Sequence, residues 1–149
     1  MSQEPMTAVG KALRAVARRD NADFEYWRKQ MHRDEQEKMQ LYPLLYEVFR
    51  GAAELRFAIE GNAGQIRPFV ERARPLLWPA QGFPVGKAEA LIRSALGESG
   101  LVSGFSTEEV VTIRMQTLTY LVEDLDLSDH DLDTLIAQAE QWVATNRDA

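Results

Sequence analysis

Cysteine is absent from the 149 residues. Disulfides, thiolate zinc sites, iron–sulfur clusters and cysteine nucleophiles are therefore excluded. Histidine is scarce, with only His32 and His130. Neither follows a glutamate by three residues, since Lys29 and Leu127 stand there. The paired Glu-x-x-His ligands of a carboxylate-bridged di-iron bundle are thus missing, as is H-E-x-x-H. No apolar run approaches the ~18 residues of a membrane span, and none follows the basic residues of MSQEPMTAVGKALRAV as a secretion signal requires. The expectation is a soluble, cytoplasmic protein with no cofactor, no bound metal and no membrane contact.

Phosphate and acyl chemistry are equally thin. GFPVGKA at 82–88 is one residue short of a phosphate loop, puts Ala88 where Ser or Thr is needed, and follows no strand pattern. A G-x-S-x-G elbow is absent. The stretches DEQE at 34–37 and EDLD at 123–126, which supply Glu35, Glu37, Glu123 and Asp126, loosely resemble the E-x-x-E and E-x-x-D pairs of a metal-dependent helical hydrolase acting on nucleotides. Acids three apart are also common on any solvated helix, so the chain reads as non-enzymatic, with that hydrolase as an alternative.

What is present is helix. The hydrophobic fraction of 45% and charged fraction of 27% are those of a folded globular chain. Apolar residues recur at steps of three and four almost throughout, and sustained period-two alternation is missing, which predicts an all-α bundle of six or seven helices in one domain, 1–149. A first helix starts at Pro5 with Met6, Val9, Leu13 and Val16 on its stripe. A second, capped by Asn21 or Asp23, continues as a polar rod to Lys38, supported by Arg33–Glu37 and Asp34–Lys38. A third, from Pro43, carries Leu45, Val48, Ala52, Leu55 and Ile59 and ends at Gly61-Asn62. A short helix from Pro68 to Ala73 then meets a Pro/Gly-rich loop near residues 75–86, and a further helix runs from Lys87 to Leu96. Ser106 with Glu109 forms a capping box for a helix bearing Val111, Met115, Leu118, Val122 and Leu125.

The last segment, SDHDLDTLIAQAE at 128–140, has the D-x-D-x-D comb and distal glutamate of a calcium loop. Thr134 stands where that loop needs glycine. Leu132, Leu135, Ile136, Ala139, Trp142 and Val143 also run as one stripe through the supposed loop, and a loop wrapped on a cation cannot be a regular helix. Ser128 and Asp131 read instead as a cap, with aspartates placed to suit a helix dipole. The expectation is a helix start.

Charge is the remaining signal. The net charge is −6, yet residues 108–149 hold 10 acids against 2 bases while the rest of the chain is slightly basic. Signed surfaces steer partners of opposite sign. The expected partner-binding residues are therefore Asp126, Asp129, Asp131 and Asp133 on the acidic C-terminal surface. Arg74, Leu77, Trp78 and Phe83 join them, because Trp and Arg are enriched at interface hot spots. The plainer reading is that the acids solvate the fold and the aromatics cap its core. Lys11, Arg14, Arg18 and Arg19 form a basic helix face that would suit a nucleic-acid regulator, but the pI near 5 argues against it. The helix-turn-helix motif does not fit 87–122, whose intervening loop is too long. A protein-interaction module, of adaptor, chaperone, immunity or inhibitor type, is the leading expectation.

Overall fold

The computed structural model describes residue 5 and residues 7–58, 63–77 and 84–146, with backbone alone at residues 63 and 74–77. Eight α-helices and one short 3-10 turn make up the described secondary structure: α1 (Ala8–Ala17), α2 (Asn21–His32), α3 (Glu35–Met39), α4 (Leu41–Phe57), α5 (Ile66–Leu77), α6 (Val85–Ala95), α7 (Thr107–Leu125) and α8 (Asp129–Asn146). No strand occurs among the described residues. The all-α bundle is as the periodicity predicts.

Several boundaries differ from expectation, each for a local reason. Pro5 lies ahead of α1, because the Thr7 hydroxyl caps it by accepting from the Gly10 N–H at 2.9 Å. Asp20, rather than Asn21 or Asp23, caps α2 through the Asp23 N–H. The polar rod breaks at Asp34, whose carboxylate turns back onto the Gln36 and Glu37 N–H groups and opens α3. Asp34 is thus a cap, not a partner for Lys38, which pairs with Glu35 at 3.3 Å. Helix α5 continues through Pro75 to Leu77, and α6 begins at Val85. The expected loop is narrower at both ends, and residues 78–83 at its centre lie outside the described residues.

The last two helices start as their caps predict. Ser106 Oγ accepts from the Glu109 N–H at 3.1 Å, and Ser128 Oγ from the Asp131 N–H at 3.0 Å. SDHDLDTLIAQAE is therefore helical from Asp129 onward. Helix α7 ends on Asp126 with φ 53°, a left-handed conformation that aspartate tolerates better than most residues, and the Leu127 N–H closes the turn on the Val122 carbonyl.

Helices α1, α4 and α7 run in one direction. Arg114 at the start of α7 lies on the Tyr42 and Tyr46 rings at the start of α4, while Arg56 and Asp124 pair near the far ends at 2.6 Å. Val16 and Arg19 of α1 reach Thr119 and Glu123 of α7 in the same sense. Helix α8 runs opposite: its Asp129, Asp133 and Glu140 meet Arg18, Arg14 and Thr7 of α1 in reverse order. Helices α5 and α6 cover α4 and α7, and α2 and α3 flank α1. One buried cluster draws on every helix but α3, with Phe49, Phe69, Leu13, Leu45, Leu118, Leu121 and Ile136 at its centre. Each such side chain stabilises the fold by about 1.5–3 kcal/mol through burial.

Candidate functional site

The sides of α4 and α8 that turn away from the core form an open groove of about 540 Å³. Glu47, Arg50, Gly51, Glu54 and Leu55 line it from α4; Asp131, Thr134, Leu135, Gln138, Ala139 and Trp142 line it from α8, with Leu127 at one end. These positions repeat every three or four residues along each helix, so each contributes one continuous face. The helices close on each other at Gly51. A Cβ there would stand 2.6 Å from Leu135 Cδ1, so glycine is what lets the leucine lie across α4 as the groove's floor.

The groove leaves apolar surface in water. Leu55 is 54% exposed and Trp142 50% exposed. Both were expected on buried stripes. The buried face of α4 instead runs through Leu45, Val48, Phe49, Ala52, Ala53 and Phe57, and that of α8 through Leu132, Ile136, Ala139 and Val143. Leu55 and Trp142 lie just outside those arcs, one at each end of the groove.

Its polar edge is acidic. The guanidinium of Arg50 bonds Glu47 at 2.9 Å and Glu54 at 2.6 Å. The hydrogen bond to Glu47 is the main reason its pKa lies above the ordinary arginine value, against the opposing effect of partial burial. One cation is thus saturated by two carboxylates. Asp131 is exposed, and no ion pair engages it among the described residues. Among the described residues that line it, three acids against one base leave the groove negative.

The acidic residues named from sequence separate accordingly. Asp131 lines the groove. Asp126 is an exposed helix terminator. Asp129 pairs with Arg18 at 2.9 Å. Asp133 is not on the surface: its side chain is 4% exposed and pairs with Arg14 at 2.7 Å between α1 and α8. Trp78 and Phe83 lie outside the described residues, and Arg74 and Leu77 fall in the last turn of α5, where only the backbone is described.

The basic face of α1 is largely occupied. Arg14 and Arg18 hold Asp133 and Asp129, Arg18 also donates to the Leu127 carbonyl at 2.7 Å, Arg19 pairs with Glu123, and Lys11 lies 4.5 Å from the centre of the Trp27 ring. The acids considered for a metal hydrolase are dispersed. Glu35 pairs with Lys38, Glu37 accepts from the Val9 N–H, and Glu123 is held by Arg19. Among the described residues, no three Asp, Glu or His side chains stand close enough together to hold a metal ion. No described helix is long and apolar enough to cross a membrane.

Sequence reasoning missed Arg50, Glu47, Glu54 and Leu55 as site residues. A signal existed: Glu47, Arg50 and Glu54 form an i, i+3, i+7 polar strip along a largely apolar helix. Such a strip marks where a central helix reaches solvent. The chain matches no protein-family model, no curated protein and no solved structure.

Proposed function

We propose that this chain is a non-enzymatic protein-interaction module that receives a basic partner in the α4–α8 groove. The observation that carries the reading is the groove itself: two large apolar side chains, Leu55 and Trp142, stand half exposed at its ends beside an acidic edge. Exposed hydrophobics scattered singly are ordinary, but a concave patch of them rimmed by charge is what binding surfaces share. Tryptophan is also a residue that repays burial by a partner, and the acids select the partner's sign and speed its approach.

The chemistry of the lining supports binding over turnover. Among the described residues that line it there is no histidine, serine or lysine, and the arginine is tied to two carboxylates. The nucleic-acid reading is weakened because Arg14, Arg18 and Arg19 already face acids of the same chain. The Trp78 segment stays in the proposal as a second contact, on its composition alone.

Affinity capture tests the reading. The wild-type chain and a Leu55→Ala/Trp142→Ala variant are used as baits, with circular dichroism confirming that both are folded. A partner retained by the first and lost by the second is expected. If every captured protein binds both baits equally, the groove reading is abandoned, and Trp78→Ala/Phe83→Ala becomes the comparison that decides whether that segment carries binding.

A further inference from the structure

We infer that the groove's occupant is a single amphipathic α-helix whose apolar anchors line one face and whose lysine or arginine lies beside the anchor at the Leu55 end; this rests on the docking reading above. The dimensions come first. The α4 wall from Glu47 to Leu55 is about 12 Å long and the α8 wall from Asp131 to Trp142 about 16 Å, at 1.5 Å per residue. A third helix laid between two others fills such a trough with anchors at i, i+3 or i+4, and i+7. An extended peptide binds by adding to a sheet edge, and no strand exists among the described residues to offer one. The backbone groups of both walls are already committed to their own helices.

Charge then fixes the occupant's character. Because α4 and α8 are antiparallel, with Gly51 opposite Leu135, Glu54 and Leu55 lie toward Leu127 and Asp131, while Glu47 lies toward Ala139 and Trp142. Glu47 is buried and held by Arg50, so the exposed acids, Asp131 and Glu54, stand at the Leu55 end, and the apolar floor of Leu135 and Ala139 runs from there toward Trp142. A cationic side chain within one turn of the anchor that covers Leu55 reaches Asp131, while the apolar anchors continue along the floor to Trp142. A second copy of this chain is a poor occupant. Each copy would present the same negative groove on a molecule of net charge −6, and like charges across an interface repel.

Titration calorimetry with stapled helical peptides of roughly four turns tests this. One probe carries leucine anchors flanked by lysines, a second has the same composition scrambled, and a third replaces the lysines with glutamates. The lysine helix is expected to bind saturably, with affinity falling about tenfold in Asp131→Lys and several-fold on raising salt from ~0.05 to ~0.5 M. Trp142→Ala should weaken it at any salt. Asp131 and Trp142 are exposed, so both variants should still fold, with Asp131→Lys melting slightly lower because it removes an acid from the first turn of α8; circular dichroism confirms that each is folded at the assay temperature. Equal binding of the scrambled probe overturns the inference, as does equal binding of the glutamate helix; the latter leaves groove docking standing. Concentration-dependent self-association abolished by Leu55→Glu assigns the groove to a second copy and also overturns it. If no probe binds and the capture experiment finds no groove-dependent protein, both readings fall together.

Discussion

Asp129, Asp131 and Asp133 are two residues apart, and helical geometry sends them to different places. Asp131 faces the groove, Asp129 sits at the rim of α1, and Asp133 is pulled inside against Arg14. A buried carboxylate is tolerable only while its charge is met, so Arg14→Met should destabilise the protein by about 1–3 kcal/mol in urea unfolding. Arg14→Met with Asp133→Leu should recover most of that loss, since removing both charges also removes the cost of desolvating them. Arg114 is the opposite case. It is 3% exposed, its Nε and Nη1 have no hydrogen-bond partner, and the rings of Tyr46, Tyr42 and Phe49 lie at 4.9, 5.5 and 5.9 Å. Cation–π attraction returns about 0.5–2 kcal/mol, while unpaired buried donors cost about 1–3 kcal/mol. The cost is the larger, so Arg114→Met should leave the melting temperature unchanged or raise it; a clear fall would mean the aromatic contacts dominate.

Helix α1 shows how an element is held by groups far away in sequence. Its N-terminus meets Glu140 from α8, which accepts from the Thr7 N–H at 2.8 Å and from the Thr7 hydroxyl, and Glu37 from α3, which accepts from the Val9 N–H at 3.3 Å. Carboxylates at this end satisfy open N–H groups and oppose the helix dipole. Gly10 leaves room for them, because a Cβ there would collide with the Glu140 carboxylate. Gly10→Ala should therefore destabilise, although alanine is favoured over glycine in helices by about 1 kcal/mol. Gly86→Ala, in the first turn of α6 with open space around it, should stabilise slightly, and the opposite signs are read in paired thermal melts.

Much at this scale was legible in the sequence. Ser106 and Ser128 announce α7 and α8 because a cap is a local event, written in adjacent residues. The break at Asp34 was not read, since the i, i+4 charges around it argue for a continuous helix and its carboxylate decides otherwise. Nor was the exposure of Leu55 and Trp142. Periodicity gives the direction of an apolar stripe, while its width depends on which neighbour covers the margin. The partners of Arg14 and Glu140 lie more than a hundred residues away, and spacing along one helix says nothing about them.

Across the whole molecule, the contrast between a slightly basic first part and an acidic last part is largely spent inside the fold. Arg14, Arg18, Arg19, Arg56 and Lys87 reach across to Asp133, Asp129, Glu123, Asp124 and Glu109. Apart from Arg14–Asp133, whose carboxylate is buried, such pairs contribute little stability each, but together they decide where unmatched charge is left. Asp131 is among what remains, in the same groove as Leu55 and Trp142, and this coincidence of unmatched charge with uncovered apolar surface is the basis of the proposed docking. The most direct measurement replaces Trp142 with a photo-crosslinking amino acid and, in a second protein, Tyr26, an equally exposed aromatic on α2. On illumination in lysate, position 142 should capture a partner through a cationic, helical segment and position 26 should not. Equal capture from both positions, or capture from position 26 alone, would rule out docking in the groove.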